Sequence, residues 1–218
     1  TKGWDIACDA VNNECFELVP GGNYAASPYA MLTSGAGFAP NFYQSITLEV
    51  TDASGSDQML MGFRKAETYA VPTSILTTGD GIYTDFCGIG FCATKANPNP
   101  VGVASDVADG GSTTCTPISF TWADTVKHKL EMWVVGLVPR YFINGVPLGG
   151  RVAFDAAGGA ITAQNTKVPP VYTFGAALSL VPFLLLRHDA DVAEALYISE
   201  WEVGTLEMIG RDPAQRGA

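Results

Sequence analysis

From Val126 to Val134 polar and apolar side chains alternate. Val126, His128, Leu130, Met132 and Val134 fall on one face, and Lys127, Lys129, Glu131 and Trp133 on the other. A period of two belongs to a β-strand with one face in a core and one in water. The chain then runs through Tyr141-Phe142-Ile143 into Asn144-Gly145, a pair that tolerates positive φ at both centres of a tight hairpin turn. Residues 126–148 are therefore predicted to be antiparallel hairpin structure.

Further strands are predicted wherever similar runs are bounded by turn residues. Cys15–Val19 is short and closed by Pro20-Gly21-Gly22-Asn23. Gln44–Val50 sets Ile46, Leu48 and Val50 against Ser45, Thr47 and Glu49, and the turn chemistry of 52–57 leads into Gln58–Arg64. Ile82–Thr94, Cys115–Thr121, Phe183–Arg187 and Leu196–Val203 complete the set, with one helical turn over Asp189–Ala195. The polar stretch Lys95–Thr114 reads as a long surface loop, a candidate contact loop or a plain insertion, and Gly149–Pro170 as a second loop. No segment carries a helical apolar stripe over three turns, and no linker or internal repeat divides the 218 residues. The pattern predicts an all-β, two-layer antiparallel β-sandwich, a single domain over 1–218 with 1–14 and 205–218 as extended terminal segments. Trp4, Ile6 and Phe16 are candidate anchors for a neighbouring subunit, because an extended terminus bearing aromatics has little else to pack against.

Composition narrows the partners. A hydrophobic fraction of 47% with 16% charged residues supports a packed core, and 24 Gly with 13 Pro suits a turn-rich sandwich. The net charge of −10, with no Lys/Arg cluster, argues against nucleic-acid binding and serves solubility. No apolar run approaches the ~18 residues of a membrane span, and the longest, Leu178–Leu186, contains Ser179 and Pro182. The N-terminus lacks an apolar signal-peptide core, which fits either retention in the cytosol or a signal already removed. Five cysteines (Cys8, Cys15, Cys87, Cys92 and Cys115) are an odd number without zinc-site spacing, so they read as buried thiols.

Two pieces resemble the concanavalin A-like, or laminin-G-like, jelly-roll sandwiches. The first is Lys129-Leu130-Glu131-Met132-Trp133 with Tyr141-Phe142-Ile143-Asn144-Gly145-Val146, similar to that family's recurrent hairpin. The second, Leu196-Tyr197-Ile198-Ser199-Glu200-Trp201-Glu202-Val203-Gly204, is similar to its closing strand. The resemblance implies architecture more than role. Sandwiches of this kind without glycosidase residues occur in tailed-phage virions. The resemblance therefore implies a non-enzymatic virion structural protein, a capsid decoration, cement, tail or fibre component assembled in the host cytoplasm. It would dock on other virion proteins as a homo-oligomer or multi-copy assembly. The alternative is a carbohydrate-binding, lectin-like module, and a more distant one a glycosidase.

Asp189, Asp191 and Glu194 approximate the family's carboxylate spacing but fall in a turn, a poor mount for acid–base work. Asp52, Ser54, Ser56 and Asp57 in one loop, and Asp189 with Asp191 in another, could offer oxygens to calcium, yet hairpin-turn Asp residues ordinarily cap their own backbone. No metal or cofactor is expected. His128 reads as a hydrogen-bonded core imidazole, and His188 beside Asp189 makes no relay, since strand neighbours face opposite ways. The candidate binding residues, for a protein partner or a glycan, are the aromatics Trp133, Tyr141, Trp201 and Trp4.

Overall fold

The computed structural model describes residues 3–8, 14–19, 32–33, 41–51, 58–67, 83, 85–91, 101–106, 114–117, 120, 122–135, 138–148, 174, 178–188 and 194–206. They contain thirteen strands. These are β1 (Trp4–Cys8), β2 (Glu14–Leu18), β3 (Leu32–Thr33), β4 (Asn41–Val50), β5 (Gln58–Lys65), β6 (Phe86–Phe91) and β7 (Val101–Asp106). The rest are β8 (Thr114–Pro117), β9 (His128–Val135), β10 (Val138–Ile143), β11 (Val146–Pro147), β12 (Ser179–His188) and β13 (Glu194–Leu206).

They form two antiparallel sheets, one of six strands in the order β1-β13-β4-β9-β10-β11 and one of seven in the order β2-β12-β5-β6-β7-β8, with β3 also on β12. The chain passes from sheet to sheet at β1–β2, β3–β4, β4–β5, β8–β9, β11–β12 and β12–β13, and its first and last strands are neighbours. This is the expected jelly-roll sandwich.

Inward positions of both sheets make one core. Phe42, Ile46, Leu48 and Val50 of β4 and Leu130, Met132 and Val134 of β9 meet Met59, Met61 and Phe63 of β5 and Leu180, Leu184 and Leu186 of β12. Burying each such side chain contributes roughly 1.5–3 kcal/mol. The predicted alternation of β9 holds, with His128, Leu130, Met132 and Val134 buried and Trp133 exposed. β9 and β10 run side by side, and Asn144 (φ 52°) with Gly145 (φ 76°) makes the tight turn from β10 into β11. Polar contacts also cross between the layers: Gln44 Nε2 donates to the Phe183 carbonyl at 3.3 Å, and Tyr141 Oη lies 2.7 Å from Cys87 Sγ. Cys87 is a buried free thiol, as expected, and burial pushes its pKa far up.

The seven-stranded sheet has a second buried cluster on its other face, of Leu60, Tyr83, Phe86, Val181, Phe183 and Leu185. Within it Arg64 is fully buried. Its Nε and Nη2 donate to the two Glu17 carboxylate oxygens at 2.8 and 3.0 Å, and Nη1 donates to the Lys65 and Glu67 carbonyls. Tyr83 adds a hydroxyl hydrogen bond to Glu17, and its ring lies 4.0 Å from the guanidinium. Every charge in this knot has a partner, which is what makes its burial tolerable.

Several expectations need correction. Val101–Asp106, placed in a surface loop, is a strand between β6 and β8. Its Val-Gly-Val-Ala-Ser-Asp sequence lacks the bulky alternation that marks a strand, so long-range ladder bonds decide it. In the N-terminal segment β1 pairs along β13 and β2 along β12, and the candidate anchors Ile6 and Phe16 pack partly buried against the main core. At the other end β13 runs on to Leu206, and Glu194 and Ala195 are strand rather than helical turn. Residues 52–57, 149–170, 189–193 and 207–218 lie outside the described residues, and with them the calcium candidates and the carboxylates Asp189 and Asp191.

Removing Glu17 strands a buried guanidinium. Glu17→Ala is expected to lower the unfolding free energy by about 3–5 kcal/mol, read from the urea midpoint at unchanged slope. Loss under about 1 kcal/mol, the scale of an exposed pair, would show that the knot is hydrated.

Candidate functional site

The outward face of the six-stranded sheet carries exposed aromatic rings from β9 and β13, and the strand register arranges them in rows. In one row Asp5 of β1 is opposite Tyr197 of β13, and Tyr197 is opposite Glu49 of β4. Lys127 extends this row, because the next residue, His128, is the partner of Leu48. An aromatic ring is thus flanked by two carboxylates and an ammonium group. The row opens into a cleft of about 430 Å³ that Trp4 and Ser199 also line. That size suits a small polar ligand. Trp4 is 55% exposed and Tyr197 39%.

A β-bulge shapes the cleft. Pairing of β13 with β4 slips between Ile198 and Glu200, so Ser199 is the extra residue. Before it Leu196 and Ile198 point into the core, and after it Trp201 and Val203 do. Ser199 Oγ donates to the Thr47 carbonyl at 3.2 Å, which pins the bulge to β4. The slip leaves Trp201 turned toward the core beside Trp4, in edge contact at 6.1 Å. The two line a smaller recess of about 170 Å³. Trp201 Nε1 is buried with no hydrogen-bond partner among the described residues.

Six residues back along β4 is a second row. Tyr43 is opposite Gly204 on one side and Trp133 on the other, and Trp133 is opposite Arg140. Trp133, 38% exposed, tilts against Phe142 with centroids 4.9 Å apart. Gly204 lets the Tyr43 ring lie across β13, for a Cβ there would meet the ring at 2.9 Å. The Tyr43 hydroxyl donates to Glu202 Oε1, and that bond to a carboxylate raises its pKa.

Of the four expected aromatics, Trp133 is exposed on the outer face in the second row, and Trp4, the ladder partner of the inward Ile198, is exposed at the sheet edge on the inner side. Trp201 is half-buried and backs Trp4. Tyr141 is a correction: at 3% exposure it faces the opposite sheet, because its ladder partner Met132 is an inward residue. In the pair Tyr141-Phe142 the outward, half-buried member is Phe142. Sequence reasoning missed Tyr43, Phe142, Tyr197, Asp5 and Glu49 as site residues. Parity along Leu196-Tyr197-Ile198 could have exposed Tyr197, but nothing local marks which strands become neighbours.

His128 is the core imidazole the sequence suggested, packed between Phe120 at 5.1 Å and Trp122 at 4.4 Å. Burial lowers its pKa. Asn144 Oδ1 accepts the Lys129 N–H, and its Nδ2 lies 3.0 Å from His128 Nδ1, which fixes the ring's orientation. Among the described residues no group of three His, Cys, Asp or Glu could hold a metal ion.

No family model matches the chain, and no curated protein matches it. Solved structures do. One is a marine PL7 alginate lyase from Zobellia galactanivorans, at TM-score 0.43 and 11% identity over 93% of this chain and 77% of that one. A functionally unknown protein from Saccharomyces cerevisiae gives 0.45 and 8% over 94% and 97%. A homodimeric agglutinin from chicken liver gives 0.43 and 7% over 88% and 100%. At scores this low the likenesses carry no functional argument, and the site is read from its own side chains.

Because the folded state lowers the His128 pKa, the unfolded chain takes up the proton first as pH falls. The stability this group contributes is therefore present above the ordinary value of 6.5 and lost as pH drops through the lowered folded value. In His128→Gln the slope of stability against pH below 6.5 is expected to flatten, measured by denaturant titration at a series of pH values. An unchanged slope would assign the pH dependence to other groups.

Proposed function

We propose that the chain is a carbohydrate-binding module that holds its ligand without turnover in the cleft formed by Trp4, Asp5, Glu49, Lys127 and Tyr197. The row of ring, carboxylates and ammonium carries this reading. A sugar ring has an apolar C–H face and a rim of hydroxyls. Exposed Tyr197 supplies the flat apolar surface on the outer face, at low cost in side-chain freedom, and Trp4 borders the cleft from the edge strand. Asp5 and Glu49 accept hydroxyl protons, and Lys127 donates to ring or hydroxyl oxygens. Charge-assisted bonds of this kind are about twice as strong as neutral ones and fix orientation. The mounting of Asp5 favours binding without hydrolysis. Asp5 is open to solvent, whereas a catalytic acid is typically set in an apolar pocket that keeps it protonated. The virion role implied by the family resemblance draws on no feature of the cleft, so the proposal is confined to what the cleft can hold.

The test is a glycan array followed by titration calorimetry on the folded protein. Tyr197→Ala is expected to weaken the best glycan by about tenfold, near the upper range for one aromatic contact. Glu49→Gln is expected to weaken it by about ten- to a hundredfold, through charge-assisted bonds of roughly 1.5–3 kcal/mol. No binding anywhere on the array by protein with native circular dichroism sinks the proposal, and release of sugar product on prolonged incubation overturns its non-enzymatic part.

A further inference from the structure

We infer that the cleft is one end of a track, and that the outward face of the six-stranded sheet takes a neutral polysaccharide lengthwise, with Trp133 and Phe142 as the far platform. This rests on the cleft being a sugar site. The rows at Glu49 and Tyr43 are six residues apart on one strand, which at about 3.3–3.4 Å per residue places them about 20 Å apart. That span exceeds a single sugar ring and suits several joined end to end.

The ground between the rows is polar. Thr47 and Lys129 are partners in adjoining strands, as are Thr47 and Glu200. Lys129 and Glu131 lie 3.4 Å apart, both part-exposed, as a rim ion pair with capacity left for hydroxyls. Each end has apolar rings and the middle has donors and acceptors. The far platform is preorganised, since Tyr43 is tied to Glu202 and Trp133 braced on Phe142, so a ligand orders little on arrival.

Charge selects the polymer. The track carries the carboxylates of Asp5, Glu49, Glu131, Glu200 and Glu202 against the cations Lys127, Lys129 and Arg140, on a chain of net charge −10. A polyuronate or sulfated glycan would bring further negative charge along the whole length and be repelled. Neutral glucans, mannans or xylans meet no such opposition.

Calorimetric titration with neutral linear oligosaccharides of increasing length, from the monosaccharide of the same sugar upward, tests the inference. Oligogalacturonate serves as the anionic control. Affinity is expected to climb with length until the chain spans the two rows. Trp133→Ala should weaken the longest oligomer by about tenfold, as for loss of one aromatic platform, and leave the monosaccharide unchanged. Tyr197→Ala should weaken both. Length-independent affinity, or a Trp133→Ala variant that binds long chains normally, overturns the track and leaves the cleft standing. Binding of oligogalacturonate as tight as that of neutral chains overturns the charge argument. Absence of binding by every sugar removes cleft and track together.

Discussion

The register of β4 between β13 and β9 is the constraint on which the rest depends. With alternation of two, Phe42, Ile46, Leu48 and Val50 enter the core while Tyr43, Thr47 and Glu49 face out. A slip of one residue would expose the first set and bury Glu49. The dry layer between the sheets forbids that slip, and so fixes the outward rows as firmly as the inward ones. Recognition chemistry on the outer face is therefore a consequence of core packing on the inner one.

The bulge at Ser199 makes this constraint useful. Without the extra residue, Trp201 would remain out of phase with Leu196 and Ile198 and project from the sheet. With it, Ser199 and Glu200 fall in succession along the outer side, and the edge strand β1 closes beside them through Trp4 and Asp5. Edge strands risk pairing with other chains, and a bulge in the strand next to the edge disfavours a flat, extendable ladder.

Polar groups between and behind the sheets do different work. Glu17, Arg64 and Tyr83 form a knot joining β2 and β5 to the segment before β6, with its charges compensated inside an apolar cluster. Asn144 binds the backbone of Lys129 and the ring of His128, so the tight turn is tied to the start of β9. These contacts specify one arrangement among the many that burial alone would accept.

Alternation over 44–50 and 128–134, together with the Asn-Gly pair, determined by itself that the chain is a two-layer antiparallel sandwich, because period and turn chemistry are local properties. The inward setting of His128 and the exposure of Trp133 were legible for the same reason. Tertiary structure decided the rest. It made a strand of Val101–Asp106, buried Tyr141 while leaving Phe142 outside, and turned Trp201 at a bulge no local pattern announces. It also brought Asp5, Glu49, Lys127 and Tyr197 into one row, though they come from four distant parts of the chain. Which strand lies beside which is settled by long-range hydrogen bonding and by how the two apolar faces fit, and neither is written in any short stretch of residues.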